Sequence, residues 1–425
     1  MVAISALVEE GDTVAWSHGT GEPRCLTTML VNDVAAPERL RIFCGVVFSD
    51  TIEKAVARHP GWQYTGIAAF GGLQRAARAG RLQILPIRWS ALPRLIQDGN
   101  LRIDTALLNV GPCEQGSYSF GVAGDYGALL LRSARRVVVQ VNTAMPRTLG
   151  PALIPRDVLD SVLTVRIEVD EPPLEANMGS RGVDRQIAEN VATLIRDRDV
   201  LEVGIGSLGE AVWRALRPRR DLGVHTGMLT DAIVDLVHAG VVTNRYKEID
   251  EGQTIGGVLF GSMRLYRFAD RNDRVALHPI TYTHNPTIIG ALSNFVAVNF
   301  ALQVDLTGQI NSEVADGVAV GAVGGVLDFV EGAQRSPGGR SIFALRSRTR
   351  DGRPTIVPKL ENGVVTVSRT MVDYVVTEYG CAKLPGATLD ERVERLIAVA
   401  HPDDRAVLRR AADFAIPQLQ SHEVM

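Results

Sequence analysis

Three stretches of the chain combine residue types that could do chemistry. Gly204-Ile-Gly-Ser-Leu-Gly209 matches the G-x-G-x-x-G pattern. It follows the apolar run Val200-Leu-Glu-Val203 and opens a helical pattern over Leu208 to Leu216. In that context the free N–H groups of a helix start can hold a pyrophosphate. A dinucleotide site also wants an acid about 20 residues on, closing the second strand. Here that strand is Leu222-Gly-Val-His-Thr226, and it ends in Thr226-Gly227 without one. Tight strand-to-helix packing accounts for the glycines, and no NAD is expected. Gly317 to Phe329 is a second glycine-rich turn. Glycines 321, 324 and 325 let a ligand approach the backbone closely, and successive N–H groups can form an anion nest. A plain bend between strands is the other reading. His278-Pro-Ile-Thr-Tyr-Thr-His-Asn-Pro286 carries two histidines six apart. Metal ligation needs a third and usually a fourth ligand at suitable spacing, and none follows, so no metal is expected. There is no G-x-S-x-G elbow, and no cysteine stands beside an obvious histidine partner, so a serine or thiol hydrolase is unsupported.

Short β-branched runs alternate with longer amphipathic ones, the signature of an α/β protein with parallel or mixed sheets. Val137-Val-Val-Gln-Val141 and Val200 to Val203 read as buried parallel strands. Asp184 to Arg198 reads as a helix, with Ile187, Val191, Leu194 and Ile195 on one face. Thr230 to Ala239 reads as another, capped by Thr230 and ended by a left-handed Gly240. Glu168 to Gly182 is acidic, rich in Pro and Gly and aperiodic, and reads as a linker between two α/β domains. Glu331 to Arg340 reads as a surface excursion inside the second. The expected division is residues 1–170, a linker at 171–183, and 184–425.

With 425 residues the chain is long enough for two or three domains at about 150 residues each. Apolar residues make up 46%, charged residues 22%, and the net charge is -3, so the chain is neither disordered nor fibrous. The charge balance argues against a nucleic-acid partner. The longest low-charge stretch, Gly317 to Val330, is too short and too glycine-rich to span a membrane. The N-terminus has no basic segment followed by an apolar one, so no signal peptide is expected. Four scattered cysteines form no C-x-x-C, and a cytoplasmic, reducing compartment is the expectation.

Several strings together resemble one family. They are Gly116-Ser-Tyr-Ser-Phe-Gly121, Met145-Pro-Arg-Thr-Leu-Gly150, Val200 to Gly206, Leu222-Gly-Val-His225, His278-Pro279 and Asn285-Pro286. Further on come Leu302 to Glu313, Val372 to Gly380 and Ala400-His-Pro402. On these the chain is similar to the acetyl-CoA hydrolase/transferase group, which includes 4-hydroxybutyrate CoA-transferase and belongs to the class I CoA-transferases. The resemblance implies two similar open α/β domains with the active site in the cleft between them. It implies an acyl-CoA thioester as substrate, a small acceptor, CoA lying largely on the C-terminal domain, and a homodimer or higher oligomer. By the same resemblance the CoA site draws on Gly204, Gly206, Gly321, Gly324, Gly325 and Asn285. Backbone N–H groups near Gly321 to Gly325 would stabilise the thioester carbonyl.

In typical members a glutamate following a His-Ser or His-Thr pair attacks the thioester, giving anhydride and glutamyl-CoA intermediates in ping-pong order. Here the string is His225-Thr-Gly-Met-Leu-Thr-Asp231, and Gly227 stands where the glutamate is expected. Three outcomes stay open. Water or an acceptor's own nucleophile attacks directly, with a nearby base. Another carboxylate, from Glu114, Glu248, Glu251 and Glu313, takes the carrier role. Or catalysis is lost and CoA binding remains. His225 is a candidate base, on the same side as residue 227 if the strand continues, with an orienting role as the alternative. Glu114 lies in Gly111-Pro-Cys-Glu-Gln-Gly116, which resembles an active-site loop of the first domain but departs from its usual acid and histidine at Cys113 and Gln115.

Overall fold

The computed structural model describes residues 4–175, 182–361 and 363–415. Two sheets dominate. The first is wholly parallel and contains β1 (Thr13–Trp16), β2 (Arg41–Phe43), β3 (Gln63–Gly66), β4 (Leu82–Ile84), β5 (Thr105–Val110), β6 (Arg136–Asn142) and β7 (Leu163–Val169). Their order is β4-β3-β2-β1-β5-β6-β7. β5 is buried along its whole length, and β6 everywhere except its first residue, so both read as continuous apolar runs.

The second sheet contains β8 (Val200–Val203), β9 (Gly223–Val224), β10 (Phe295–Phe300), β11 (Arg340–Ala344), β12 (Tyr374–Thr377) and β13 (Gly380–Lys383), in the order β9-β8-β10-β11-β12-β13. Only the β12–β13 pair is antiparallel. The chain is thus a two-sheet α/β protein, as the sequence pattern implies.

Each sheet has a point where consecutive strands part to opposite sides. In the first it lies between β1 and β5, in the second between β8 and β10. Ligands of open α/β sheets bind outside the carboxyl ends of strands at such points. Here the two crevices face each other. Main-chain bonds hold the halves in place: Gly124 N–H donates to Gly257 O at 2.9 Å, Leu259 N–H to Val122 O at 2.8 Å, and Trp89 N–H to Gly324 O at 2.9 Å. One apolar cluster runs from Ala15 and Leu108 through Leu229 and Leu277 to Val298 and Val376, so the sheets share a core.

Several local expectations change in three dimensions. α1 (Gly182–Thr193) ends earlier than Arg198. The Asp199 carboxylate accepts the Arg196 N–H at 2.6 Å, and Arg198 adopts φ +69°, turning the chain into β8. α2 (Ser207–Ala215) follows β8 closely, because Gly209 lies where a Cβ would sit 2.1 Å from Gly204 O. α3 (Asp231–His238) starts after Thr230, whose hydroxyl makes no capping bond, and Gly240 takes the left-handed conformation at φ +70°. The expected excursion at 331–340 is instead the end of α4 (Val326–Arg335) and the start of β11. Gly332 lets that helix meet Ile289, where a Cβ would lie 2.4 Å from its side chain. Residues 176–181 of the expected linker lie outside the described residues.

Candidate active site

A cavity of about 340 Å³ lies where the two crevices meet. The first sheet contributes His18 just beyond β1, Gly45 just beyond β2, Trp89 and Asp125. The second contributes Glu202 to Ile205 from the end of β8, Asn299 from β10, Thr226 to Met228, His284, and the 320–326 turn leading into α4. The walls are mainly apolar, with a few convergent polar groups, the usual make-up of a small-molecule site.

Gly227 sits in this wall, and His284 covers it. A Cβ on Gly227 would lie 3.0 Å from the ring's Cε1 and Nε2. A Cβ on Gly325 would lie 2.6 Å from the same ring. The two glycines therefore make room for one imidazole. Its Nδ1 pairs with the Thr283 hydroxyl at 2.9 Å, and burial pushes its pKa down to about 3, so the ring is neutral at pH 7.

Two polar pairs face the same space. His18 Nδ1 contacts Asp125 Oδ2 at 2.5 Å, and both side chains are 3% exposed. The His18 ring lies 5.3 Å from the Tyr126 ring and 5.4 Å from the Trp89 ring. On the opposite sheet, Asn299 Nδ2 donates to Glu202 Oε2 at 2.9 Å. Burial pushes the Glu202 carboxyl up to about 8, so it is mostly protonated at neutral pH.

The glycine-rich turn is anchored to the first half. Asp328, fully buried on α4, accepts the Ser90 N–H at 3.0 Å and the Ser90 hydroxyl at 2.6 Å. Arg88 reaches Glu331 at 2.7 Å and Asp328 at 3.5 Å. The Gly321 N–H is already donated to Glu313 O at 2.9 Å, and a Cβ there would lie 1.9 Å from Ser312 O. Any carbonyl-stabilising donors of this turn must therefore come from the residues after Gly321.

The structure brings some of the sequence candidates together and leaves others apart. Gly204, Gly227, Gly321, Gly324 and Gly325 line the cavity; Gly206 is the residue before α2, at φ +124°, and does not. Asn285 caps the short helix Pro286–Gly290, its Oδ1 accepting the Thr287 N–H at 2.9 Å, while its neighbour His284 faces the cavity. His225 is fully buried away from it. β9 ends at Val224, so strand alternation does not carry 225 and 227 to one side. Its Nε2 lies 3.1 Å from Thr283 O, and burial pushes its pKa down to about 3.

Glu114 lines a separate depression, where Arg271 grips both its oxygens at 2.7 and 2.8 Å. Glu248, Glu251 and Glu313 also lie outside the cavity. Its carboxyls are Asp125 and Glu202, which sequence reasoning passed over. The signal for His18 and Glu202 was positional, because both sit at the carboxyl ends of strands flanking a switch point. Among the described residues, no group of three or more His, Cys, Asp or Glu is placed to hold a metal ion, and no helix is long and apolar enough to cross a membrane. The four cysteines are free thiols.

Comparison with known proteins bears on the same architecture. The family models described as acetyl-CoA hydrolase/transferase N-terminal and C-terminal domains match residues 3–167 and 261–412. The chain is 36% identical over 407 residues to a 4-hydroxybutyrate coenzyme A transferase of Clostridium kluyveri, covering 94% of each chain. The structure of RipA from Yersinia pestis matches with a TM-score of 0.85 at 31% identity, over 97% of this chain and 96% of that one. A 4-hydroxybutyrate CoA-transferase structure from Porphyromonas gingivalis matches with a TM-score of 0.81 at 33% identity, over the same shares.

Proposed function

The chain belongs to the acetyl-CoA hydrolase/transferase family, and from that premise we propose that it cleaves acyl-CoA by direct attack of water, or of an acceptor's own nucleophile, without a glutamyl-CoA intermediate. It is an enzyme of acyl-CoA chemistry, a hydrolase or transferase, with the CoA thioester as substrate. One observation carries the finer reading. Residue 227 lies in the wall of the cavity between the sheets and is a glycine, with a neutral imidazole against it. A glycine offers neither nucleophile nor CoA carrier, so the covalent relay cannot run through this position.

The remaining walls suit a thioester. Val203, Val258, Val323 and Phe329 give an apolar surface for an acyl chain. The turn at Gly324 and Gly325 leads into the start of α4, where N–H groups and the helix dipole favour negative charge developing on a carbonyl oxygen. The acceptor is water or a small carboxylate, amine or alcohol, and the assembly is a homodimer or higher, which light scattering on the purified protein tests.

A second reading keeps net CoA transfer through a substitute carboxylate. It is favoured by Glu202, whose carboxyl stands in the cavity wall on the strand beside β9. Thiol release from a panel of short and medium acyl-CoAs, with and without acetate, separates the readings when followed by intact-mass analysis. Release indifferent to acetate, with no adduct, is the expected result. Carboxylate-dependent exchange with a CoA-sized adduct mapping to Glu202 overturns it. Tight CoA binding with no turnover on any thioester leaves a CoA-binding protein.

A further inference from the structure

We propose that His18 is the general base that activates the attacking water beside Gly227, with Asp125 as its positioning residue. The inference rests on the hydrolytic reading above and names the group that reading needs.

A buried histidine is most simply a packed ring with both nitrogens satisfied. His18 is not. Its Nδ1 is committed to Asp125 at 2.5 Å, while Nε2 is buried with no hydrogen-bond partner among the described residues. In the proposed arrangement Nδ1 donates to Asp125, and Nε2 is the nitrogen left to take a proton. That is how a carboxylate fixes the tautomer of a catalytic imidazole.

The ring cannot turn away. Trp89 and Tyr126 flank it, and Gly45 backs it so closely that a Cβ there would lie 2.7 Å from Nε2. Such crowding is what a preorganised base requires.

Asp125 also lies near residue 227. Asp125 Cβ and the Gly227 carbonyl oxygen both press on Gly257, where a Cβ would sit 3.2 and 3.0 Å from them. His18, Asp125, His284 and Gly227 line one cavity. His284 is a weaker candidate, because its ring is packed between two glycines and its Nδ1 contacts only a hydroxyl.

The step balances without a further reagent. His18 Nε2 takes one proton from water as the water oxygen bonds to the thioester carbon. The C–S bond then breaks with its electron pair going to sulfur, and the proton on Nε2 passes to the thiolate. The products are CoA thiol and a carboxylic acid, which releases its remaining proton to solvent. Asp125 holds the imidazolium in between.

The test measures thiol release from acetyl-CoA and butyryl-CoA by the full-length wild type, His18→Gln, His18→Ala and Asp125→Asn. Far-UV circular dichroism and CoA affinity are recorded for each. Wild type without thiol release overturns the hydrolytic reading, and the assignment of His18 falls with it. If wild type turns over, His18→Gln is expected to lose about 10²–10⁴-fold in kcat, the usual contribution of a general base, with KM changed only a few-fold. Added imidazole is expected to restore part of the rate to His18→Ala and none to Asp125→Asn. Rescue of this kind separates a proton-transfer role from a packing role. A folded His18→Gln at wild-type kcat overturns the assignment alone. So does a loss confined to KM, or a loss in His18→Ala that imidazole leaves untouched.

Discussion

Replacing Glu202 by Gln tests the electrostatics of the cavity directly. The carboxyl is 4% exposed and has one hydrogen bond among the described residues, from Asn299 Nδ2. Glutamine is close in shape to the protonated acid and its carbonyl oxygen can accept the same bond. Burial raises the folded-state pKa from the ordinary 4.5 to about 8. The stability tied to this proton is therefore fully present below pH 4.5 and is lost as pH rises toward 8, because the unfolded chain gives up the proton and the folded one keeps it. At about 1.4 kcal/mol per pH unit, wild type has lost about 3 kcal/mol at pH 7 relative to its stability at low pH. Glu202→Gln has no such proton to lose. The stability difference between variant and wild type is thus expected to be small near pH 5, to grow by about 3 kcal/mol at pH 7 and to flatten above pH 8. Denaturant titrations of both proteins at intervals from pH 5 to 9 read this difference, and the linkage of every other group cancels in it. A difference that stays flat across the range refutes the reasoning. It would mean that Glu202 is ionised in the folded protein, wetted from the cavity, and available as a carboxylate carrier.

Gly227→Glu places a carboxyl side chain in the cavity wall, and a Cβ there starts 3.0 Å from His284, so the ring must yield by a few tenths of an ångström. The variant is expected to gain carboxylate-dependent acyl exchange and a CoA-sized adduct at residue 227; a folded variant without either shows that the scaffold lacks more than the glutamate. Gly325→Val drives a side chain into His284 at 2.6 Å and Phe329 at 3.0 Å, an overpacking worth about 1–3 kcal/mol, and should abolish turnover; wild-type rate and CoA affinity would misplace the thioester. Asp328→Ala removes the acceptor of both Ser90 bonds and should cost about 1–3 kcal/mol while raising KM for acyl-CoA, since the glycine turn loses its tie to the first half. An unchanged KM in steady-state kinetics would show that the tie does not shape the site. Glu114→Gln, at a residue gripped by Arg271 outside the cavity, is expected to leave thiol release within a few-fold of wild type, and a loss beyond about tenfold would return that loop to the chemistry.

What could be read along the chain was whatever depends on near neighbours. The run Val137 to Val141 lies in β6, the glycines at 204 and 209 mark a strand packed on a helix, and Gly240 ends α3. His225 shows where that reading fails. Its place in the string beside residue 227 made it a candidate, yet β9 stops after two residues and the chain turns His225 into the core beneath Tyr282 and Phe295. Asn285 and Glu114 also lie outside the cavity lining, and each has a local partner, a helix start in one case and an arginine in the other.

The sequence by itself determined the alternation of strands and helices, the family, and the presence of a glycine at 227, because each is written in the order of residues. Tertiary structure decided which groups surround that glycine. His18 and Asp125 stand 107 positions apart, Glu202 and Asn299 97 apart; the second pair forms where neighbouring strands lie side by side, the first where the chain beyond β1 meets the loop before the helix at Gly127. Burial in that cleft then sets its chemistry: the Glu202 carboxyl is kept protonated, the His284 ring is kept neutral, and His18 Nε2 has no partner among the described residues.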